Sequence, residues 1–413
     1  MTSLERAPRA RVFSWALYDF ASTIFSMNML SMYFPLWVTG EMHGRDIDYS
    51  ICLSVSVIAA GLSMPLIGSL SDRLRRRVPF LLVLASISCA CTAAIGYSGG
   101  LLPALALFAL ANYGYQTALV PYDALLPEVS RGFSMGKVSG LGVGLGYLGS
   151  ISGLLLVKPF VDGHSRSAAF LPTAVLFMLF SLPAFIFIKE SPGRRPKSRL
   201  DIGREFRKIL LTLRNTRRYP GLLRFLIANI IYSDAINTVI VFMAVYASKV
   251  IGMNDAQIRT FLIASTVFAA AGSWLAGQLT HRFGPKRTLL GVLSLWLITL
   301  MTAGLSQGVG VFWLVGPLAG ISLGGTWVSS RTLVAELAPP GKLGQAYGLY
   351  NLGGKFGFVA GPLVWGGIVL AFERYGIIRY RFAIFSLVLF LAASILVLVK
   401  VPPRAMPEGY KSM

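Results

Sequence analysis

The sequence predicts an all-α integral membrane protein in which twelve transmembrane helices form two six-helix repeats, with both termini in the cytoplasm. Three observations predict this fold. Hydrophobic residues make up 55% of the 413 residues and charged residues only 13%, with a mean hydropathy of +0.66. Lys and Arg are concentrated in alternate loops, and matching residues recur at a nearly constant offset. This composition excludes an ordinary soluble globular domain.

Apolar runs long enough to cross about 30 Å of hydrocarbon as a helix recur along the chain. We number them as predicted spans 1 to 12, at residues 12–40, 50–70, 78–97, 101–121, 136–157, 168–188, 222–248, 260–280, 288–306, 309–330, 343–372 and 380–399. The first run is far longer than the apolar core of a signal peptide, so we expect it to remain as span 1.

The formal net charge of +21 is compatible with a nucleic-acid binder, so the distribution of the charge is decisive. The N-terminus, the even-numbered loops and the C-terminus hold most of the 38 Lys and Arg residues. The positive-inside rule places that side in the cytoplasm. The basic excess therefore indicates topology and contact with the lipid bilayer, with no nucleic-acid partner.

The longest polar stretch, residues 189–224, contains twelve basic and three acidic residues. It predicts three parts: an N-terminal six-helix bundle (1–188), a basic cytoplasmic linker (189–221) and a C-terminal six-helix bundle (222–413). Within the linker, "LDIGREFRKILLTLRN" places apolar residues at helical spacing. This pattern predicts an amphipathic helix lying on the membrane surface.

The two halves match each other residue by residue. At an offset of 208, Gly136, Gly140, Gly146, Gly149 and Gly153 fall on Gly344, Gly348, Gly354, Gly357 and Gly361. At 209, "GSLSDRLRRR" (68–77) aligns with "GQLTHRFGPKR" (277–287), and at 215 "DFAST" (19–23) aligns with "DAINT" (234–238). Parallel repeats of six helices are a recurring transporter plan.

The stretch "GSLSDRLRRR" resembles the loop between helices two and three of the major facilitator superfamily, Gly-x-x-x-Asp-Arg/Lys-x-Gly-Arg-Arg/Lys. The matching positions are Gly68, Asp72, Arg73, Arg76 and Arg77. Arg75 stands where the family has glycine, and His281 replaces the acid in the second copy. The resemblance implies the major facilitator fold and a conformational role, in which an acid at a helix end holds basic residues and helix termini. A topogenic basic loop is the alternative.

Three further stretches, "SWALYDFAST", "YDALLPEVS" and "SSRTLVAELAPPGKLGQAYGLYNLGGKFGFVAGPL", look like the superfamily branch of autophagy-related vacuolar amino-acid effluxers and their bacterial relatives. The similarity is partly shared with glycoside–pentoside–hexuronide cation symporters and their lysolipid-carrying relatives. The resemblance implies proton- or cation-coupled secondary transport of a small solute by alternating access, with amino-acid efflux favoured. The alternatives are a cation-coupled sugar or lysolipid transporter and a non-transporting membrane receptor.

Asp19, Asp234 and Lys355 are charged residues inside predicted spans 1, 7 and 11. A charge near the bilayer centre costs about 2.5–3.5 kcal/mol, so each should face a partner or a water-filled cavity. For the two carboxylates we weigh proton or cation coupling against structural pairing with Lys355 or a helix terminus, and against incidental polarity. Lys355 would bind a substrate carboxylate or phosphate, or act as a counter-charge that the coupling ion displaces.

The resemblance implies that spans 1, 7 and 11 line a central cavity, and polar residues share helical faces with the three charges. The substrate-cavity candidates are Ser22, Thr23, Ser26, Tyr115, Gln116, Tyr232, Asn237, Thr238, Tyr347 and Asn351. Packing is the alternative for the tyrosines, whereas a membrane amide needs a partner. We expect Trp15 and Trp37 to anchor span 1 at the membrane interfaces.

Charged residues at the cytoplasmic ends of the spans are candidates for a gate. Asp123 and Arg331 occupy equivalent positions at an offset of 208 and have opposite charges. We expect them to pair and close the gate, or each to bond to its adjacent loop. The complete gate set is Asp72, Arg73, Arg76, Asp123, Glu128, Arg282, Arg331 and Glu336.

Several function classes lack a sequence basis. There is no Gly-x-x-x-x-Gly-Lys-Ser/Thr phosphate loop for ATP, and the three histidines have no metal-ligand spacing. We therefore expect no enzyme, no metal and no cofactor, with a proton or monovalent cation as the coupling ion. We expect a functional monomer in the bacterial cytoplasmic (inner) membrane that acts on a small-molecule substrate.

Overall fold

A computed structural model describes residues 3–44, 46–162, 164–190, 220–356 and 360–402, and all regular secondary structure in these ranges is helical. The helices up to residue 187 are α1 Ser3–Phe25, α2 Tyr33–Gly40, α3 Asp46–Leu74, α4 Val78–Ile95, α5 Leu101–Ala124, α6 Leu126–Val129, α7 Met135–Val161 and α8 Phe170–Phe187. The helices from residue 220 onwards are α9 Pro220–Lys249, α10 Asp255–Phe283, α11 Pro285–Leu305, α12 Val309–Phe312, α13 Val315–Leu337, α14 Leu343–Phe356, α15 Ala360–Ala371 and α16 Ile378–Val399. A π-helical segment, Ser26–Met32, joins α1 to α2.

Nine helices within the described ranges are long and apolar enough to cross a membrane, and they coincide with predicted spans 2, 3, 5 to 10 and 12. The chain is therefore a multi-pass membrane protein. Predicted spans 1, 4 and 11 are also helical, in α1 and α2, in α5, and in α14 and α15. Buried polar residues such as Asp19, Asn112 and Gln116 make α1 and α5 less apolar than the nine helices counted above. The number of twelve membrane-spanning helices and the side of the termini stay predictions.

The described residues form two compact units. The first contains the described residues of Met1–Val138, Leu145–Leu211 and Pro340–Asn351. The second contains those of Ser139–Gly144, Thr212–Pro339 and Leu352–Met413. The predicted domain boundaries at 188/189 and 221/222 stay predictions, and the amphipathic helix expected in the linker lies outside the described residues.

Aromatic side chains fill the core of the first unit, where α1 packs on α8, α5 on α3 and α4, and α4 on α8. Trp15 stacks on Tyr122 with ring centroids 4.6 Å apart. Trp15 is 0% and Trp37 is 6% exposed, so the expectation that they anchor span 1 at the membrane interfaces is wrong. Trp15 has its polar partner inside the unit, because its Nε1 donates to the Tyr122 carbonyl at 3.1 Å.

The second unit repeats the four helix pairings of the first. Its pairs are α9 with α16, α13 with α10, α13 with α11, and α11 with α16. Glycines allow the closest of these approaches. A Cβ atom added to Gly320 or Gly324 would lie 2.2 Å from a backbone carbonyl oxygen of α10. The internal repeat seen in the sequence is therefore also a repeat of helix packing.

The left-handed backbone positions of the loops recur at the same offset of 209 residues. His43 (φ 51°) corresponds to Gly252 (φ 78°), and Gly132 (φ 84°) corresponds to Gly341 (φ 73°). Arg75 (φ 51°) corresponds to Gly284 (φ 83°). Arg75 thus takes a conformation that favours glycine, at the position where the resembling motif has one. The two repeats therefore share this turn, although the residue at it differs.

Replacing Arg75 by Gly should stabilise the protein by about 1 kcal/mol, because glycine adopts positive φ without the Cβ clash. The midpoint of thermal unfolding of the purified protein measures this change. Arg76→Gly is the matched control, since it removes the same charge at a neighbouring exposed residue whose φ is not positive. Equal effects of the two substitutions would contradict the assignment of strain to Arg75.

Candidate functional site

Asp19 lies on the buried face of α1 and is 7% exposed. The hydroxyls of Ser22 and Thr23 reach its backbone carbonyl, at 3.0 and 3.1 Å. The Thr23 hydroxyl has a shorter contact, 2.6 Å, to the Gly146 carbonyl on α7. These hydroxyls therefore bond to backbone in the structure, and Thr23 ties α1 to α7.

Asp234 has the equivalent setting in the second unit, where it is 5% exposed on α9. The Thr238 hydroxyl donates to its backbone carbonyl at 2.7 Å. A Cβ atom added to Gly361 would lie 2.9 Å from that carbonyl oxygen, so α15 approaches α9 closely beside the carboxylate. Asn237, 5% exposed, completes the predicted polar stripe.

Two predicted cavity residues of span 4 connect to different helices. The Tyr115 ring packs against that of Phe25 on α1, with centroids 4.9 Å apart. Gln116 Nε2 donates to Asn112 Oδ1, one turn earlier on α5, at 3.4 Å. Asn112 in turn donates to the Ser56 hydroxyl at 2.7 Å.

The structure places the two remaining tyrosines in packed positions. Tyr232 is fully buried, and its hydroxyl lies 2.7 Å from Ser330 Oγ on α13. Tyr347 is fully buried with its ring edge-on to that of Tyr350. Whether either tyrosine also contacts substrate stays a prediction.

Asn351 on α14 makes a contact that the sequence did not indicate. Its Nδ2 donates to Asp123 Oδ2 on α5 at 3.1 Å and to the Tyr347 carbonyl at 3.0 Å. Asp123 is 3% exposed. The predicted gate pair between Asp123 and Arg331 stays a prediction. Lys355 lies in the last turn of α14, but its side chain is outside the described part of the chain, so its two roles also stay predictions.

The carboxylate of Asp72, at the end of α3, binds the N-terminus of α14. It accepts hydrogen bonds from the backbone N–H groups of Gly344 and Gln345, at 2.9 and 3.0 Å. Both amides belong to the first turn of α14, where helix N–H groups lack partners within the helix. The anion and the positive end of the helix dipole therefore stabilise each other.

Arg77 pairs with Asp72, with its Nη2 atom 3.0 Å from Asp72 Oδ1. Its Nη1 atom also lies 4.0 Å from Glu128 Oε2. Glu190, just past α8, accepts hydrogen bonds from the backbone N–H groups of Arg77 and Val78 at the start of α4. No local sequence pattern indicates this contact, because 113 residues separate Glu190 from Arg77.

The roles of the other predicted gate residues stay predictions. Arg76 is exposed. Arg282 is also exposed and lies over the ring of its neighbour Phe283, with 5.2 Å to the centroid. Arg73, Arg331 and Glu336 are half-buried and have interactions of their own.

The family follows from comparison with known proteins. The sequence profile of the family described as "Vacuole effluxer Atg22 like" matches residues 48–409. The chain belongs to this family. The Atg22-like match covers helices of both repeats, in agreement with the resemblance of the motifs.

Individual relatives of this Atg22-like chain include bacterial and fungal proteins. The "Uncharacterized MFS-type transporter YxiO" of Bacillus subtilis (strain 168) is 28% identical over 411 residues, which cover 94% of each chain. "Autophagy-related protein 22" of Coccidioides immitis (strain RS) is 28% identical over 296 residues, or 64% of this chain and 48% of that protein. The chain thus spans about half the length of the fungal relative.

A solved structure supports the same fold. The crystal structure of the human organic anion transporter MFSD10 (TETRAN) matches with a TM-score of 0.77, over 96% of this chain and 100% of that one. The identity is 15%, so the likeness concerns the fold alone. This Atg22-like chain is therefore a major facilitator transporter of the membrane, and not an enzyme.

Asp72→Asn should destabilise this Atg22-like protein by about 2 kcal/mol, because an amide cannot replace both carboxylate oxygens as acceptors for α14 and Arg77. Thermal unfolding of the purified protein measures the effect. The control is Asp162→Asn, which removes a 65% exposed carboxylate from an i,i+4 pair with Lys158 and should have little effect. A similar change for both variants would show that the Asp72 contact contributes no net stability.

The pH dependence of stability tests the Glu190 contact. Burial raises the pKa of Glu190 above its ordinary value of 4.5, although the Arg77 and Val78 amides partly lower it. Its contribution to stability is therefore full below the ordinary pKa and is lost as pH rises through the raised value. The thermal midpoint of Glu190→Gln relative to the native protein should increase from pH 4.5 to pH 7.

Glu373→Gln removes a carboxylate that is 72% exposed and serves as the control for loss of an acidic charge. A relative midpoint for Glu190→Gln that falls over the same pH range would contradict the raised pKa.

Proposed function

We propose that this chain is a secondary active transporter that moves a small solute by alternating access, with a proton or monovalent cation as the coupling ion. Amino acids and related small zwitterions are the favoured solutes, and efflux is the favoured direction. We also propose that it works as a monomer in the bacterial cytoplasmic membrane.

The observation that carries the proposal is the pair of buried carboxylates at repeat-equivalent positions. Asp19 and Asp234 are 7% and 5% exposed, in helices that occupy predicted spans 1 and 7. Burial of a charge in a membrane protein is costly, so such residues are retained for a partner or a function. A glycine of a neighbouring helix lies beside each of them: an added Cβ atom would be 3.7 Å from the Asp19 carbonyl oxygen at Gly146 and 2.9 Å from the Asp234 carbonyl oxygen at Gly361.

A carboxylate in a partly dry setting has two accessible states, one neutral with a proton and one charged with a counter-ion. Binding a proton or a monovalent cation lowers the cost of burial. A transporter that exposes such a group first to one side and then to the other carries the ion along its gradient. Lys355 remains the proposed counter-charge or substrate ligand.

The proposed cargo and direction come from the relatives. The family description is that of a vacuole effluxer, and the fungal relative is named autophagy-related protein 22. The bacterial relative, which matches along 94% of both chains, supports a bacterial membrane transporter of the same size. The absence of a phosphate loop in the sequence supports a gradient as the energy source.

Asp19→Asn and Asp234→Asn should each reduce gradient-driven transport about tenfold or more, because asparagine cannot exchange a proton. The protein is reconstituted in liposomes, and uptake is compared with and without an imposed pH or sodium gradient. A thermal-shift screen of amino acids, sugars and lysolipids first identifies the solute. Counterflow without a gradient should survive, since it needs binding and alternation but no net ion movement.

Asp162→Asn, on an exposed residue, is the control with the same chemical change. If transport in both intramembrane variants keeps the gradient dependence of the native protein, the coupling assignment is wrong. A sugar or lysolipid as the only stabilising solute would overturn the proposed cargo.

A further inference from the structure

The end of α16 is held by two cations of the second unit. Arg224, in the second turn of α9, donates from Nη1 to the Lys400 carbonyl at 2.7 Å. Lys286, in the first turn of α11, donates from Nζ to the Val399 carbonyl at 2.9 Å and also to the Val401 carbonyl. Cations suit a helix C-terminus, because its last carbonyls lack partners within the helix. A carbonyl has no net charge, so these bonds do not neutralise either cation.

Two more cations lie beside them. Arg287 follows Lys286 in the first turn of α11, and Lys400 follows the last residue of α16. Arg287, Lys400 and Arg224 are exposed, whereas Lys286 is half-buried. We call these four residues the helix-end cluster. They bring four positive charges to the end of the second unit where α9 and α11 begin and α16 ends.

The first unit neutralises the corresponding position with a carboxylate of its own. Arg77 corresponds to Lys286 at the offset of 209 and pairs with Asp72 at 3.0 Å. In the second unit His281 stands at the position of Asp72, so this repeat keeps the cation and has lost the acid. Arg287 adds a further positive charge where the first unit has an apolar residue. The helix-end cluster therefore lacks the counter-charge that its equivalent has.

The described residues of the second unit include four acids, and three of them lie elsewhere. Asp234 is buried in the interior of α9. Asp255 begins α10 and Glu373 precedes α16, so both are at the opposite ends of these helices. Glu336 is half-buried near the end of α13 and has interactions of its own. Among these acids, at most one therefore shares an end of the unit with the four cations.

Exposed apolar residues continue from the helix-end cluster along two helices. On α9, Ile227 lies three residues after Arg224 and is 42% exposed. On α16, Leu396 lies four residues before Lys400 and is 68% exposed. Residues at these spacings share a helical face, so each cation stands at the end of an apolar stripe. Because α9 packs on α16, the bond between Arg224 and the Lys400 carbonyl joins the charged ends of the two stripes.

This order of positive charge and apolar surface complements a phospholipid, in which a phosphate is attached to acyl chains. Arg and Lys bind phosphate oxygens through charge-assisted hydrogen bonds. Basic groups at the ends of membrane helices attract anionic headgroups, while the apolar surface below them contacts the chains. A headgroup without net charge satisfies the hydrogen bonds but leaves the excess positive charge in place.

We propose that the helix-end cluster binds the headgroup of an anionic phospholipid, with an acyl chain along Ile227 and Leu396. Arg287 and Lys400 supply attraction to the phosphate, whereas Arg224 and Lys286 also hold the end of α16. The inference goes beyond the proposed function and does not rest on it, because lipid binding requires no transported solute.

The experiment uses the purified full chain in a neutral detergent, with phosphatidylglycerol and phosphatidylcholine of identical acyl chains as probes. Native mass spectrometry measures bound lipid, and the thermal midpoint measures stabilisation by mass action. Phosphatidylglycerol should bind about tenfold or more tightly, because each cation near an anionic headgroup strengthens binding about fivefold. The difference should shrink at high salt. Equal binding of the two lipids by the native protein would overturn the proposal, and this comparison needs no variant.

The double variant Arg287→Gln, Lys400→Gln removes two exposed charges and leaves Arg224 and Lys286 to hold α16. It should weaken phosphatidylglycerol binding about tenfold and leave phosphatidylcholine binding unchanged.

The matched control is the double variant Lys249→Gln, Arg374→Gln. It removes two exposed cations, one from the last turn of α9 and one just before α16, which are the opposite ends of the same helices. The control should bind phosphatidylglycerol as the native protein does. An equal loss in both double variants would show that net charge, and not the helix-end cluster, attracts the lipid.

Inorganic phosphate separates a lipid site from a general phosphate site. At the concentration of the lipid it should not displace phosphatidylglycerol, because it has no acyl chain to contact Ile227 and Leu396. Displacement by an equal concentration of inorganic phosphate would overturn the assignment to a lipid.

Discussion

The contact between Asp72 and the N-terminus of α14 fixes where that helix begins and which face it presents. Two backbone amides and the Arg77 guanidinium converge on one carboxylate. The contact requires glycine on both helices, because a Cβ atom on Gly68 would lie 2.2 Å from the Gly344 carbonyl oxygen. The next turns follow the same register: Gly348 meets the backbone of α3 at Met64.

One further turn along α14, this register brings Asn351 to Asp123 on α5. The loop motif at the end of α3 thus determines the contact that Asn351 of α14 makes with Asp123 near the end of α5. The dependence is geometric, since a helix that starts one residue later turns each side chain by about 100°. This register explains why the motif combines an acid, Asp72, with a glycine four residues earlier, Gly68: the acid binds the N-terminus of α14, and the glycine allows α14 to approach.

The two repeats conserve backbone geometry more closely than side-chain chemistry. Helix pairings and left-handed loop positions recur in both. At the start of α4, Glu190 caps the amides of Arg77 and Val78. At the equivalent position in the second repeat, Lys286 instead donates to the carbonyls of Val399 and Val401 at the end of α16. In the first repeat, an anion thus stabilises a helix N-terminus at this position. In the second repeat, a cation stabilises a helix C-terminus instead.

The sequence by itself determined the properties that depend on local pattern and composition. Apolar length predicted the helices, since hydrocarbon requires about twenty apolar residues for each crossing. The glycine offsets predicted the repeat, because close helix contact tolerates no larger residue. Local pattern also selected Asp19 and Asp234, as charges inside predicted spans, and Asp72, by its match to the loop motif, as candidate functional residues.

Only the tertiary structure decided which of these groups meet. Arg77 reaches Asp72 because the left-handed turn at Arg75 reverses the chain between them. Glu190 and Asn351 bond to residues 113 and 228 positions away, and no local pattern encodes such pairs. The orientation of Gln116 depends on two further side chains and one carbonyl on two helices. Hydrogen-bond direction is a property of the assembled contact, so it follows from packing and cannot be assigned from residue types alone.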